Sequence, residues 1–324
     1  RIRQAARHGC QVIALDSVER DWAIPVKHLL KHAASQWVQA LGGIAAAVAQ
    51  EKGVAGPAGS FVIDDAATAV ARSLMAGERK AVLLGNAAAH HAQATQLLAL
   101  ANWIGEHTGA TVGYLTEAAN TVGAQFVGAH PVKGGLNAAQ MLSGGLKAVL
   151  LLNNEPVHDS SAGARAADAL SGAEMVVTLS PFKANMEFSD VLLPIAPFTE
   201  TSGSFINAEG RLQSFHAVVR PLGDTRPAWK VLRVLANMLE IPGFDFETSQ
   251  DVLARATNAA PGAFSRIDAA QLSNAVTGGV TASVSGAVGE PVVASIYQLD
   301  GLVRRSPSLQ LTADARMARE EVAA

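Results

Sequence analysis

The chain has 324 residues and a formal charge of −3 at pH 7, with 25 Lys and Arg against 28 Asp and Glu. This length permits two domains and a large core, and the near balance of charge argues against nucleic acid as a partner. The single cysteine, Cys10, excludes an intrachain disulfide, a thiolate zinc cage and a four-cysteine iron–sulfur cluster held by this chain alone. The apolar runs are far shorter than the roughly 20 residues that span a bilayer, so no membrane span is predicted.

The first eighty residues predict a helix, a buried strand and two further helices. Arg1–Ala6 has a helical pattern and runs directly into the apolar strand Gln11–Asp16, so we expect a further region upstream. Asp64 or Asp65 is the expected cap of the last of these helices. We interpret residues 1–80 as the remnant of an upstream α/β domain. The helix before that cap is predicted from an apolar stripe at steps of three and four, formed by Leu30, Ala34, Trp37, Leu41, Ile44 and Val48.

Residues 81–245 alternate short apolar strands with helices, which predicts a Rossmann-like α/β domain. Short apolar strands separated by helices are typical of a parallel sheet that is covered on both faces, and right-handed crossovers then predict a doubly wound arrangement. Residues 246–324 are expected to be a short, irregular C-terminal extension, with 278–291 as a linker or loose β segment. The predicted strands are Ala81–Leu84, Thr111–Leu115, Lys147–Leu152, Met175–Leu179 and Val191–Pro194.

Two helices of this domain have predicted ends. Small residues from Asp159 to Leu170 indicate one helix. In the second, Asp224 or Thr225 is the expected N-cap and Pro227 lies in the first turn.

The most distinctive pattern of the chain is a predicted β-hairpin. Ser204–Ile206 and Leu212–Phe215 are expected to pair, with Gly210 at a positive φ in the turn between them. Glu209 and Arg211 flank that glycine, where they would help to fix the turn or bind a partner. The spacing by itself favours a structural hairpin.

This segment resembles the signature of the molybdopterin oxidoreductase fold, a strand that ends in Leu-Pro followed by Glu-x-x-Gly-x-x-x-Asn-x-Glu-Gly-Arg-x-Gln. Within that superfamily, Ala118–Ala124, Arg220–Lys230 and residues 297–312 are similar to the G subunit of NADH-quinone oxidoreductase, the bacterial respiratory complex I. The residues that carry the signature are Pro194, Glu200, Gly203, Asn207, Glu209, Gly210, Arg211 and Gln213.

The resemblance to the G subunit implies a structural role without a redox centre. In that family the iron–sulfur clusters are bound in an N-terminal region that has no counterpart here, and the fold is kept without pterin chemistry. We therefore expect no catalytic residue, no metal and no cofactor in this chain, and molybdopterin in particular is not expected. The implied partners are the cluster-bearing region of the parent protein and other subunits of the hydrophilic arm, on the cytoplasmic face of the bacterial cell membrane.

Two other classes of protein stay open. A stand-alone Rossmann-like binding module is one, although the glycine fingerprint of a dinucleotide loop is missing. The other is part of a catalytic molybdopterin oxidoreductase similar to formate dehydrogenase, because parallel sheets bind ligands beyond the carboxyl ends of their strands. The residues that would then bind the pterin are Gly85, Asn86, Asn153, Asn154, Ser180, Glu200 and Gly203.

Overall fold

A computed structural model describes residues 1–260, 262–268, 271–274 and 295–316. The chain forms two compact units, which divide between Ala118 and Ala119. The described residues 268 and 271–274 belong to the first unit, and residues 295–316 belong to the second. The predicted linker at 278–291 lies outside the described residues. The predicted three-part division at residues 80 and 245 stays a prediction.

The described part of the first unit contains short parallel strands and longer helices. Its helices are α1 (Ile2–Arg7), α2 (Trp37–Lys52), α3 (Asp65–Ala76), α4 (Asn86–Ala89) and α5 (Ala94–Thr108). Its strands are β1 (Ile13–Asp16), β2 (His28–Lys31), β3 (Ala81–Leu84) and β4 (Thr111–Tyr114). Strand β1 pairs with β2 and β3 pairs with β4, both in parallel.

Helix α2 is the centre of the core of the first unit. It packs against α3 and α5, and most of its side chains are buried. Each large apolar side chain that is fully buried in this way contributes about 1.5–3 kcal/mol to the stability of the unit. The core includes Val38, Ile44, Val48, Val70, Leu100 and Ile104.

The apolar stripe that predicted a single helix covers three elements. Helix α2 begins at Trp37, whereas Leu30 lies in β2 and Ala34 in a 3₁₀ turn. The strand was missed because Leu30 lies at helical spacing from Ala34 and Trp37. The cap of α3 was correctly predicted, since the carboxylate of Asp64 accepts a hydrogen bond from the Ala67 amide at 2.7 Å.

The described part of the second unit contains one three-stranded parallel sheet and one antiparallel hairpin. Its helices are α6 (Thr121–Phe126), α7 (Ala138–Met141), α8 (Pro156–Asp159), α9 (Arg165–Ser171), α10 (Ala228–Met238), α11 (Ser249–Thr257) and α12 (Ile296–Leu299). Its strands are β5 (Ala148–Leu152), β6 (Met175–Ser180), β7 (Val191–Pro194), β8 (Gly203–Ile206) and β9 (Leu212–Phe215). The parallel sheet has the order β5–β6–β7, and β8 pairs with β9.

The parallel pairing of the predicted strands is confirmed, and the α/β class with it. The doubly wound arrangement stays a prediction, because the described strands form separate small sheets.

Two helix predictions were wrong. The predicted helix from Asp159 to Leu170 is split into α8 and α9, with Gly163 at a φ of 56° between them. Helix α10 has Pro227 at its N-cap position and no side-chain cap from Asp224 or Thr225.

Candidate functional site

The signature segment folds as the predicted hairpin, and its turn is held by one asparagine. Ser204 faces Ser214 across the two strands, and Gly210 has a φ of 76°. The Oδ1 atom of Asn207 accepts hydrogen bonds from the backbone amides of Glu209 and Arg211, both at 3.0 Å. The positive φ of Gly210 is thus confirmed. The structure assigns the turn-fixing role to Asn207, which the spacing argument did not.

Two further signature residues, Gly203 and Glu200, make contacts in and beside the hairpin. A Cβ atom on Gly203 would lie 2.6 Å from the ring of Phe215, so the glycine makes room for that ring. The carboxylate of Glu200 accepts a hydrogen bond from the Leu222 amide at 2.9 Å. Both residues therefore have a structural partner inside the second unit, and Pro194 ends strand β7.

The hairpin is also tied to two segments outside the signature. The Oδ1 atom of Asn120 accepts a hydrogen bond from the Ile206 amide at 2.8 Å. On the other side, the Ile267 amide donates to the carbonyl of Gly210 at 2.8 Å, and the Arg266 Nε donates to the carbonyl of Glu209 at 3.1 Å. Asn120 of the Ala118–Ala124 motif thus contacts the signature hairpin within the second unit. Gln213 is exposed on β9.

The loops at the carboxyl ends of β5 and β6 bring together three of the predicted pterin residues. Asn153 has a φ of 49°, and its amide donates to the carbonyl of Leu179 at 2.8 Å. The carbonyl of Asn154 accepts from the side chain of the buried Asn185 at 2.9 Å. The hydroxyl of Ser180, which is also buried, accepts from the backbone amide two residues further on at 3.1 Å. These two backbone groups and the Ser180 hydroxyl therefore have partners within the protein, whereas Asn153 and Asn154 are themselves exposed.

A segment that we call the terminal strap, residues 295–316, covers this strand-end edge with two arginines. Arg304 Nη2 lies 2.8 Å from one carboxylate oxygen of Glu155, and Arg305 Nη2 lies 2.7 Å from the other. Arg304 also contacts Asp159 at 3.3 Å. The guanidinium of Arg305 stacks over the ring of Phe182 at 4.2 Å. Contacts of one guanidinium with two carboxylates, and stacking of another on a ring, favour arginine over lysine.

The central ion pair of the strap is largely removed from water. The side chains of Arg304 and Glu155 are only 11% and 13% exposed. Burial by itself raises the pKa of Glu155, but the hydrogen bonds and charges of Arg305 and Arg304 outweigh it and hold the pKa below its ordinary value of 4.5. The ionised carboxylate is therefore a structural element of the second unit.

The lowered pKa of Glu155 predicts an acid-dependent loss of stability. Because the pKa is lower in the folded chain than in the unfolded one, the contribution of Glu155 is complete above its ordinary pKa of 4.5 and is lost as the pH falls through the lowered value. We expect the free energy of unfolding of the wild-type chain to fall more steeply than that of Glu155→Gln between about pH 6 and about pH 3. Urea unfolding at a series of pH values measures both, and parallel pH dependences would contradict this assignment.

Gly85 and Asn86, the remaining predicted pterin residues, belong to the first unit. Gly85 precedes α4, which has a single turn of four residues. A Cβ atom on Gly85 would have no heavy atom within 4 Å, so the glycine is not required by a close neighbour. In the same unit the imidazole of His90 lies 2.7 Å from the carboxylate of Glu117, and both side chains are exposed.

Arg304 and Arg305 lie over the edge at which the loops after β5 and β6 would meet a pterin cofactor. The Asn153 amide, the Asn154 carbonyl and the Ser180 hydroxyl are paired within the protein, whereas Asn153 and Asn154 are themselves exposed. In the described part of the chain, no group of three or more His, Cys, Asp or Glu side chains is arranged to hold a metal ion. No helix among the described residues is both long and apolar enough to cross a bilayer.

The fold and the signature hairpin together define a class, an α/β protein with short parallel sheets and a β-hairpin whose turn contains a positive-φ glycine. A family model described as molybdopterin oxidoreductase matches residues 1–238. The chain therefore belongs to the molybdopterin oxidoreductase family.

Curated relatives match shorter segments of the chain. "Probable oxidoreductase YjgC" of Bacillus subtilis is 37% identical over 75 residues, which are 23% of this chain and 8% of that protein. "Putative formate dehydrogenase SAB2186c" of Staphylococcus aureus is 42% identical over 59 residues, which are 18% of this chain and 6% of that protein. The matched segments are thus less than a tenth of the length of these relatives.

Proposed function

We propose that the chain is a structural part of the G subunit of NADH-quinone oxidoreductase and holds no redox centre of its own. The complex transfers electrons from NADH to quinone and couples this transfer to proton translocation. In this proposal the chain contributes a rigid α/β body to the hydrophilic arm, on the cytoplasmic face of the cell membrane. Its partners are the cluster-bearing region of the same protein and neighbouring subunits.

The observation that supports this proposal best is the terminal strap. In a catalytic member of the family, the strand-end loops would need free donors and space for a pterin and its phosphates. Here the Glu155 carboxylate, the Ser180 hydroxyl and the Asn154 carbonyl each have a partner in the protein. A role as a packed body without a cofactor is consistent with this arrangement.

A second candidate, part of a catalytic oxidoreductase, is favoured by the names of the relatives. The Staphylococcus aureus relative is named for formate dehydrogenase and the Bacillus subtilis relative for an oxidoreductase. For this candidate, the strap would have to leave the strand-end edge to admit a cofactor. Pterin contacts would then come from Asn153, Asn154 and Ser180, together with Gly85, Asn86, Glu200 and Gly203.

The two candidates differ in what the intact parent protein contains. We would purify that protein from its own cells through a tag on this chain and measure molybdenum, tungsten, released pterin and iron in one sample. Iron without pterin, in a membrane-associated assembly with NADH–quinone activity, is the result that we expect. Stoichiometric pterin with molybdenum or tungsten would overturn the proposal in favour of the catalytic candidate.

A further inference from the structure

The second unit contains an apolar cleft that its structural role does not use. The cleft has a volume of about 300 Å³. Its floor is the face of the hairpin that carries Ser204, Ile206, Leu212 and Ser214, and α6 and α11 line it as well. A concave, mainly apolar cleft of this size is typical of a small-molecule site.

The side chains that line the cleft disfavour a charged ligand. Among the described residues that line the cleft, none is Asp, Glu, Lys or Arg, His216 supplies an imidazole, and apolar groups such as Phe126, Trp229 and Leu253 contribute much of the surface. A cationic ligand would lose its hydration here without gaining an ion pair, and an anionic ligand would meet no Lys or Arg side chain among the described lining residues. The lining is therefore complementary to an uncharged ligand.

Two hydroxyl groups on the floor supply hydrogen bonding. The Oγ atoms of Ser204 and Ser214 lie 2.8 Å apart and share one hydrogen bond. Two hydroxyls that share a single hydrogen bond keep one O–H donor and several lone pairs for a third group. A ligand with one hydroxyl or carbonyl group could therefore bind to this pair while its apolar body lies on Ile206 and Leu212.

We propose that this cleft binds a small, uncharged ligand with an aromatic or aliphatic body and one hydroxyl or carbonyl group. The inference goes beyond the proposed structural role and does not depend on the identity of the assembly. It rests on the absence of Asp, Glu, Lys and Arg from the described lining, on the volume of the cleft and on the serine pair.

The test compares three probes of the same shape on the full chain. 1-Naphthol is uncharged with a hydroxyl group, naphthalene lacks the hydroxyl group, and 1-naphthoate is charged. We expect saturable binding of 1-naphthol that is tighter than the binding of 1-naphthoate by about tenfold or more, measured by ligand-observed NMR titration. Ser214→Ala should weaken the binding of 1-naphthol and leave the binding of naphthalene unchanged.

A matched pair of tryptophan variants tests the location. Ala256 is exposed on α11 and lines the cleft. Ala256→Trp should therefore fill the cleft and weaken the binding of 1-naphthol by about tenfold or more. Arg255 is exposed on the same helix and does not line the cleft, so Arg255→Trp should bind the probe as the wild type does. Circular dichroism checks that both variants are folded.

Several outcomes would overturn the proposal. They are the absence of saturable binding, equal affinity for 1-naphthoate, and full affinity in Ala256→Trp. Self-association of the chain that Ala256→Trp abolishes would show that a second copy fills the cleft. None of these outcomes bears on the pterin and iron contents of the parent protein, so failure here is distinguishable from failure of the proposed function.

Discussion

Replacement of Arg304 by alanine is expected to lower the free energy of unfolding of the second unit by about 3 kcal/mol. Removal of one partner from a buried ion pair costs about 3–5 kcal/mol, because the other charge stays buried without compensation. We expect the lower end of this range, because Arg305 still contacts Glu155 in the variant. Arg304→Lys keeps the charge but lacks the planar fork that reaches both Glu155 and Asp159, so it should rescue only part of the loss.

Hydrogen–deuterium exchange shows which segments of the chain lose stability in Arg304→Ala. In Arg304→Ala, amides of the terminal strap and of the loop that follows β5 should exchange faster, while α2 should be unchanged. Arg72→Ala is the matched control, since Arg72 is 68% exposed and its contact with Glu51 is at the surface. Such pairs contribute about 0–1 kcal/mol. Equal effects of Arg304→Ala and Arg72→Ala would contradict the structural role of the strap.

Gly210→Val is expected to destabilise the second unit by about 1–3 kcal/mol, because a β-branched residue is strained at a left-handed backbone conformation. The φ of Gly210 is 76°, and its amide donates to the carbonyl of Asn207 at 2.8 Å, so the turn cannot relax without loss of a hydrogen bond. Asn tolerates this conformation better than valine does, so Gly210→Asn should retain most of the stability.

Urea unfolding followed by tryptophan fluorescence checks the hairpin prediction. Trp229 lies in the second unit, whereas the other three tryptophans lie in the first, so variants that keep only Trp229 report on the relevant unit. An unchanged midpoint for Gly210→Val would contradict the assigned turn. A loss in Gly210→Asn equal to that in Gly210→Val would also contradict it.

Local patterns in the sequence predicted the local structure well. The hairpin and its positive-φ glycine follow from residues within about a dozen positions, where turn chemistry decides the conformation. The parallel strands were recognisable from their apolar runs. Helix α11 was missed, although Thr248 and Asp251 form a capping box that could have indicated its start.

Long-range contacts could not be predicted in the same way. Leu30 fits a helical stripe with Trp37 as well as it fits a strand, and only its pairing with Leu15 in β1 decides between the two. The contact between Asn120 and Ile206 spans 86 residues, and the contact between Glu155 and Arg305 spans 150. Residue spacing carries no information about such pairs, so the two arginines that cover the strand-end edge were not predicted.

The separation between Glu155 and its two arginines has a consequence for biosynthesis. The ribosome releases Glu155 long before Arg304 and Arg305, which come 149 and 150 positions later in the chain. During that interval the β5–β7 sheet can pair, but its edge carries an uncompensated carboxylate. The nascent second unit can therefore form this ion pair only after the strap has been synthesised.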